Sequence, residues 1–501
     1  MATYAAKTGT QNFSATWAVI NAGTSSQNFT ESTTTNTTTS YVACSNFQVD
    51  AAVSKTIDGM AVWITSRSAT LGGTFSIKLY NATSSADVIE IAGINVEKLL
   101  PVTSLSSTSS VKTSGAWVFF KFASSQTLLA ATNYNIQVKS SVAGSVTLAV
   151  NSGTNYLRYL RETTTGTPAA GERLFICGEI DSSGTWTSNR VNHDSTDSST
   201  TYGRVDIGAY GEWFWNNSAS TNYYFKTSGD VRVGTAGKLQ IGTVASPIPA
   251  TSTATIDFVS TGNIGNSLAL YLFAAGKGSV TMVGADKVHL GYLQSNIAAA
   301  ATSASVSSSS SSLVDPGWKN GDSLIFAAHP TDGTWANHYN KTDQVTLTSD
   351  SSGGTIGWTG GTTYAHQTFI PHVVNLTRNI KIKGASTTNT CQILFNSCDI
   401  YLKNVETYFI EAVNIAGTET ARSTAQPVLE NVVARDTRNG GFASNANGAS
   451  GGIQTYDLYG GLIKNCVVSK STGIVSCGNL TSSRQRRSEE HTSELQSRFG
   501  I

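Results

Sequence analysis

Six acids lie in the C-terminal part of the chain, Asp399, Glu406, Glu411, Glu430, Asp436 and Asp457, where stacking of short β coils would bring several onto one surface. Glycoside hydrolysis needs such a pair, one carboxyl protonated and one ionised, about 5 to 10 Å apart. Asp399, Glu406, Glu430 and Asp436 are therefore candidate catalytic acids, against the plainer reading that carboxylates on a solenoid are solvated. His193 and Asp194 are a second candidate catalytic pair. Neighbours in an extended chain point to opposite faces, so only a loop geometry would let them cooperate. His329, His338, His366 and His372 cluster with Asp332 and Asp343 nearby and are candidate metal ligands. Their spacing matches no zinc signature, and turn or packing roles compete for His366 and His372. Trp63, Trp117 and Tyr134 are candidates for a sugar-stacking platform, although they sit inside strand patterns where core packing is the competing role.

These residues need a scaffold, and three short stretches identify it. Leu402-Lys403-Asn404-Val405, Leu429-Glu430-Asn431-Val432 and Ile463-Lys464-Asn465-Cys466 share one pattern, with asparagines 27 and 34 residues apart. A period in that range marks stacked repeats, and strand-forming residues after each asparagine make a parallel β-helix the expected result. The asparagines themselves are expected to stack at turns and satisfy buried backbone groups rather than to catalyse.

Charged residues make up only 13% of the 501 and the net charge is +1, which excludes the basic surface that nucleic-acid binding requires. Ser, Thr, Gly and Asn mixed with Val, Ile, Tyr and Phe predict an all-β chain with an extracellular type of surface. No apolar run is long enough to span a membrane. Met1-Ala2-Thr3-Tyr4 lacks a basic segment leading into an apolar core, so no secretory signal is expected. None of the six cysteines forms a CxxC pair, and buried free thiols are expected. No motif supports calcium or another cofactor.

Strand-like runs at Met60 to Thr65, Phe75 to Tyr80, Trp117 to Phe122, Tyr134 to Lys139 and Val146 to Val150 predict a jelly-roll-like β-sandwich over 1–150, an attachment or carbohydrate-binding type of module. A connecting segment follows over 151–200. The serine-rich run from Ala298 to Ser312 is expected to be a flexible surface loop. Beyond 201, Gly237 to Thr243 (GKLQIGT), Ala254 to Phe258 (ATIDF), Leu272 to Gly284 (LFAAGKGSVTMVG), Trp318 to Phe326 (WKNGDSLIF) and Val374 to Gly384 (VNLTRNIKIKG) follow one another in order. Together they resemble the G8 domain of cell-surface hyaluronidase-like and fibrocystin-like proteins. The resemblance covers 201–384 and implies a β-rich module leading into a right-handed parallel β-helix over 385–483, truncated there. Residues 484–501 change character, and Arg487 to Ser497 (RSEEHTSELQS) looks like translated sequencing adapter.

Two classes of function follow from this reading. The first is a non-catalytic structural or host-glycan recognition protein of a virion, tail fibre or spike in type, whose partners are surface polysaccharide or other virion proteins. A homotrimer is compatible with it, although no coiled-coil segment specifies one. The second is a polysaccharide-degrading enzyme, hydrolase or lyase, built on the same β-helix. A bacterial surface adhesin is a further alternative. The expected location is a virion or an extracellular surface.

Overall fold

Strands of two to seven residues, apolar on one side and polar on the other, stack into three parallel sheets around a continuous apolar interior. The computed structural model describes residues 3–21, 33–68, 70–100, 115–150, 159–259, 271–275, 278–326, 342–368, 372–386, 391–396, 398–416, 427–436, 453–456, 461–469 and 474–477. Among these the chain is all-β, and the helical element is a single 3₁₀ turn at Val96–Lys98.

The first sheet stacks Thr3–Ala5, Arg173–Ile176, Val205–Ile207, Val231–Val233, Tyr271–Ala275, Cys391–Asn396, Ile410–Ala416, Ile453–Tyr456 and Ile474–Cys477. The second stacks Gly9–Asn12, Asn189–His193, Gly211–Trp215, Lys238–Ile241, Ser279–Val283, Asp399–Lys403, Val428–Glu430 and Leu462–Lys464. The third stacks Thr201–Tyr202, Asn222–Thr227, Thr253–Phe258, Ile380–Lys383, Val405–Tyr408, Val433–Arg435 and Val467–Ser469. The chain visits the three in turn, which is a parallel β-helix.

Coils therefore occur well outside 385–483, beginning at Thr3. Stretches that resemble the G8 module are themselves coil strands: GKLQIGT supplies Lys238–Ile241 and ATIDF supplies Thr253–Phe258. The early coils turn without the asparagine motif. Gly242 has φ +70°, and a Cβ at Gly284 would run into the side-chain oxygen of Asn379. In the later coils Asn404, Asn431 and Asn465 take the left-handed conformation at the same corner, with φ of 57°, 54° and 53°. Asn431 Nδ2 donates to Asn404 Oδ1 at 3.0 Å, and Asn404 Nδ2 donates to the Gly284 carbonyl at 3.0 Å. The expected stacking of these side chains is thus a hydrogen-bonded ladder along the helix.

Two large segments interrupt the coils. Between the strands Gly9–Asn12 and Arg173–Ile176 lies a β-sandwich. Its outer sheet is ordered Val42–Gln48, Asn133–Ser140, Thr74–Asn81, Ala86–Asn95, and the facing sheet contains Lys55–Arg67 and Ala116–Leu128. Alternation along Lys55–Arg67 sends Met60, Val62 and Ile64 into the sandwich core. It sends Ala61 and Trp63 the other way, onto Phe175 and Cys177 of the coil. Arg161 rivets this junction by donating to Asp58 from Nε at 2.8 Å and Nη2 at 3.0 Å, and it also binds Glu179. Burial disfavours the Asp58 charge, but bonds from Arg161 and Lys121 outweigh it and hold the carboxyl below its ordinary range.

Between Ser279–Val283 and Ile380–Lys383 lies a six-stranded antiparallel sheet with its own core around Trp318, Phe326 and Trp358. It docks on the outside of the third sheet, where Val374 and Leu376 meet Val433. The serine-rich run is part of this sheet rather than a loose loop. Ser303–Ser307 pairs with Thr355–Gly357 and buries Ala304 and Val306. The Ser307 hydroxyl donates to Ser312 O at 2.6 Å and accepts from Val314 N at 2.9 Å, so the polar residues fold back on themselves.

Candidate functional site

The expected acids divide between two faces of the helix. Asp399 and Glu430 project from the second sheet; Asp399 is exposed and Glu430 lies 3.9 Å from Lys403 Nζ. Glu406 projects from the third sheet and Asp436 follows the next strand there. The corner asparagines separate the two pairs. Asp457 lies outside the described residues.

Glu406 and Asp436 do come together, around one cation. Glu406 Oε1 accepts from Arg435 Nε at 2.6 Å, and Asp436 Oδ2 is 3.2 Å from Arg435 Nη1. The other Glu406 oxygen accepts from the Arg378 backbone N–H at 3.0 Å, and the side chain is about 1% exposed. Arg378 is itself buried, its guanidinium donating to the carbonyls of Asn431, Asn375 and Thr377. Burial pushes that guanidinium down to about 10, partly offset by the charges of Glu406 and Asp322.

Arg435 also lies 4.1 Å over the Tyr408 ring, and the Phe409 ring is 3.7 Å from that of Tyr408. Phe409 has φ +54°, which costs a bulky residue about 1 to 3 kcal/mol. The position before it in the stack is Gly384, where a Cβ would collide with the Phe409 carbonyl, and the one after is Asp436, also left-handed at φ +50°. The strained corner thus presents Tyr408 and Phe409 where neighbouring coils present Lys383 with Gly384 and Arg435 with Asp436. Register extends the outward row from Arg435 through Tyr408 and Lys383 to Asp257 and Lys226. Asp257 accepts from the Tyr224 hydroxyl and lies 3.4 Å from Lys383 Nζ. Burial, then the Asp257 carboxylate, raise the Tyr224 phenol above its ordinary range.

The remaining candidates are separated from this site. His193 is fully buried inside the helix, its ring centroid 4.0 Å from Trp215 and 4.6 Å from Phe13. Its Nε2 donates to the Tyr224 carbonyl at 3.0 Å, and burial pushes the imidazole down to about 3. Asp194 faces outward and accepts from Ser14 N and Oγ at 3.0 and 2.7 Å, so the two do not form an acid–base pair. His366 pairs with Asp343 at 2.8 Å inside the inserted sheet, and His372 lies beside Tyr292 on a strand of the same sheet. His329 and His338, with Asp332, lie outside the described residues. Among the described residues no group of three or more His, Cys, Asp or Glu is placed to hold a metal ion.

Trp63, Trp117 and Tyr134 are 3%, 1% and 1% exposed, which leaves no ring face for a sugar. Trp63 and Trp117 pack edge to face at 5.5 Å, and the Tyr134 hydroxyl accepts from Leu129 N at 2.9 Å. The sandwich instead presents Tyr41 and Tyr80 on its outer sheet. Lys78 Nζ lies 4.1 Å over Tyr41 and 5.4 Å over Tyr80, Lys139 Nζ lies 4.2 Å over Tyr41, and the Tyr41 hydroxyl donates to Glu90. Period-two alternation in Thr74–Asn81, with Ile77 and Leu79 inward, is the sequence signal for Lys78 and Tyr80.

No known family profile matches the chain, and no curated protein matches it. Among solved structures it aligns with the catalytic unit of a thermostable GH87 alpha-1,3-glucanase from Streptomyces thermodiastaticus strain HF3-3, over 89% of this chain and 95% of that one. The identity is 7% and the TM-score 0.19, values at which the two do not superpose as one fold.

Proposed function

We propose that this chain recognises surface glycans without cleaving them, as part of a fibre- or spike-like virion component. One observation carries the reading: the two acids that stacking brings together, Glu406 and Asp436, are both held by Arg435 beside the Tyr408 and Phe409 rings. Hydrolysis requires two carboxyls that can reach the scissile bond, whereas both of these are engaged by one guanidinium and the second Glu406 oxygen is taken by the Arg378 N–H. The same groups suit sugar binding. An aromatic pair offers an apolar face, and a fixed guanidinium with a carboxylate offers paired donors and acceptors for hydroxyls. Backbone strain at Phe409 fits a residue kept for contact rather than for stability.

The test is incubation of the purified chain with mixed bacterial capsule polysaccharides and hyaluronan, with and without calcium, followed by size analysis and binding measurement. Binding with unchanged polymer length is expected, and Tyr408→Ala should weaken it about tenfold, the loss of about 1.4 kcal/mol. Chain shortening would overturn the non-catalytic reading in favour of a polysaccharide-degrading enzyme.

A further inference from the structure

We propose that the outward face of the second sheet is a separate binding row for an uncharged glycan chain lying along the helix axis. Register aligns Asn12, Asn192, Phe214, Gln240, Thr281 and Tyr401 side by side on consecutive coils. Their inward neighbours, such as Val191, Trp213 and Leu239, fill the helix interior, so the row itself faces out. All six are exposed or half-buried. Adjacent members are one strand spacing apart, about 4.8 Å, which is comparable to the advance of one sugar ring in an extended polysaccharide.

The chemistry of the row is that of a sugar surface. Three amides and a hydroxyl lie with two aromatic rings, and none of the six carries a charge. Three of the six are already held: Asn192 Nδ2 donates to Asn12 Oδ1 at 3.1 Å, and the Arg190 guanidinium lies 3.7 Å over the Phe214 ring. The ordering cost of those side chains is met before a ligand arrives.

Charge selects an uncharged occupant. The neighbouring row, Arg190, Glu212, Lys238, Ser279 and Asp399, holds two cations and two anions. Lys238 binds Glu212 at 2.7 Å and Arg190 lies 3.9 Å from it. A face that compensates its own charge gives an anionic polymer nothing to gain on docking. None of these residues belongs to the Arg435 corner, so the two surfaces stand or fall separately.

The experiment is an array of uncharged hexose oligosaccharides of four or more units and varied linkage, printed beside uronate-bearing and sulfated counterparts. It is probed with the whole chain at low and high salt. Binding to an uncharged oligosaccharide is expected, insensitive to salt, and weakened at least tenfold by Phe214→Ala and by Gln240→Ala. Gln240 is half-buried and outward, so its variant keeps the test valid if Phe214→Ala lowers the melting temperature. Absence of binding to every uncharged oligosaccharide, loss of binding at high salt, or indifference to both row variants would overturn the proposal. Loss with Tyr408→Ala alone would leave only the corner as a glycan site.

Discussion

His193 shows what one buried titratable group does to a fold. Inside the helix its imidazole is held neutral, down to about 3, whereas in the unfolded chain it titrates near 6.5. Below about pH 6.5 the unfolded state takes up a proton that the folded state refuses. Stability is therefore complete above that pH and is lost towards pH 3, by about 1.4 kcal/mol per unit. His289, pushed down to about 4 by burial and then by Arg378, adds to the same slope. The melting temperature should fall between pH 7 and pH 5. His193→Phe should melt lower at pH 7, having lost the bond to Tyr224, but with a flatter pH profile; an equally steep profile would remove His193 as the cause. The divergence of His193 and Asp194 was readable from strand alternation alone. The meeting of Glu406 with Asp436 was not, because it depends on register between two coils and on Arg435, which carries no sequence signal of its own.

At the scale of the element, the asparagine corner links sequence to coil most directly. A left-handed backbone, a stacked amide and a buried polar side chain all favour the same residue type, so the repeat was legible wherever asparagine is used. Coils that turn on Gly242, left-handed at φ +70°, or on Gly284, where Asn379 leaves no room for a Cβ, do so without a recurring letter, and those escaped a periodic reading. Asn431→Ala removes a buried side-chain hydrogen bond and places a Cβ-bearing residue without local hydrogen bonding at φ 54°, at a cost of about 2 kcal/mol or more. Asn431→Gly keeps the backbone freedom and should cost about 1 kcal/mol less. Urea midpoints at constant slope measure both, and equal losses for the two variants would mean that the left-handed corner contributes nothing. The serine-rich run shows the opposite failure, where composition suggested disorder but two apolar residues in alternation, Ala304 and Val306, sufficed for a strand.

At the scale of the molecule, the sandwich and the coil share apolar surface. The strand runs of the sandwich were legible, yet nothing local revealed that both faces of Lys55–Arg67 are covered. Trp63, Trp117, Phe119 and Tyr159 lose their cover if the sandwich is cut away from Phe175 and Cys177. An excised piece spanning 33–166 should therefore self-associate on size exclusion, as exposed apolar patches do. A monodisperse, cooperatively melting monomer would show that the coil contributes little to it.

The first coil has a consequence in time as well as in space. Thr3–Ala5 finds its parallel partner only in Arg173–Phe175, on the far side of the whole sandwich. At a synthesis rate of about 5 to 20 residues per second, the stretch between them takes roughly 10 to 30 s to emerge, and through that interval the opening strand has no parallel neighbour. Every parallel pair of the helix needs a strand at Arg173 or beyond, so the sandwich strands have all been synthesised before the first coil can close.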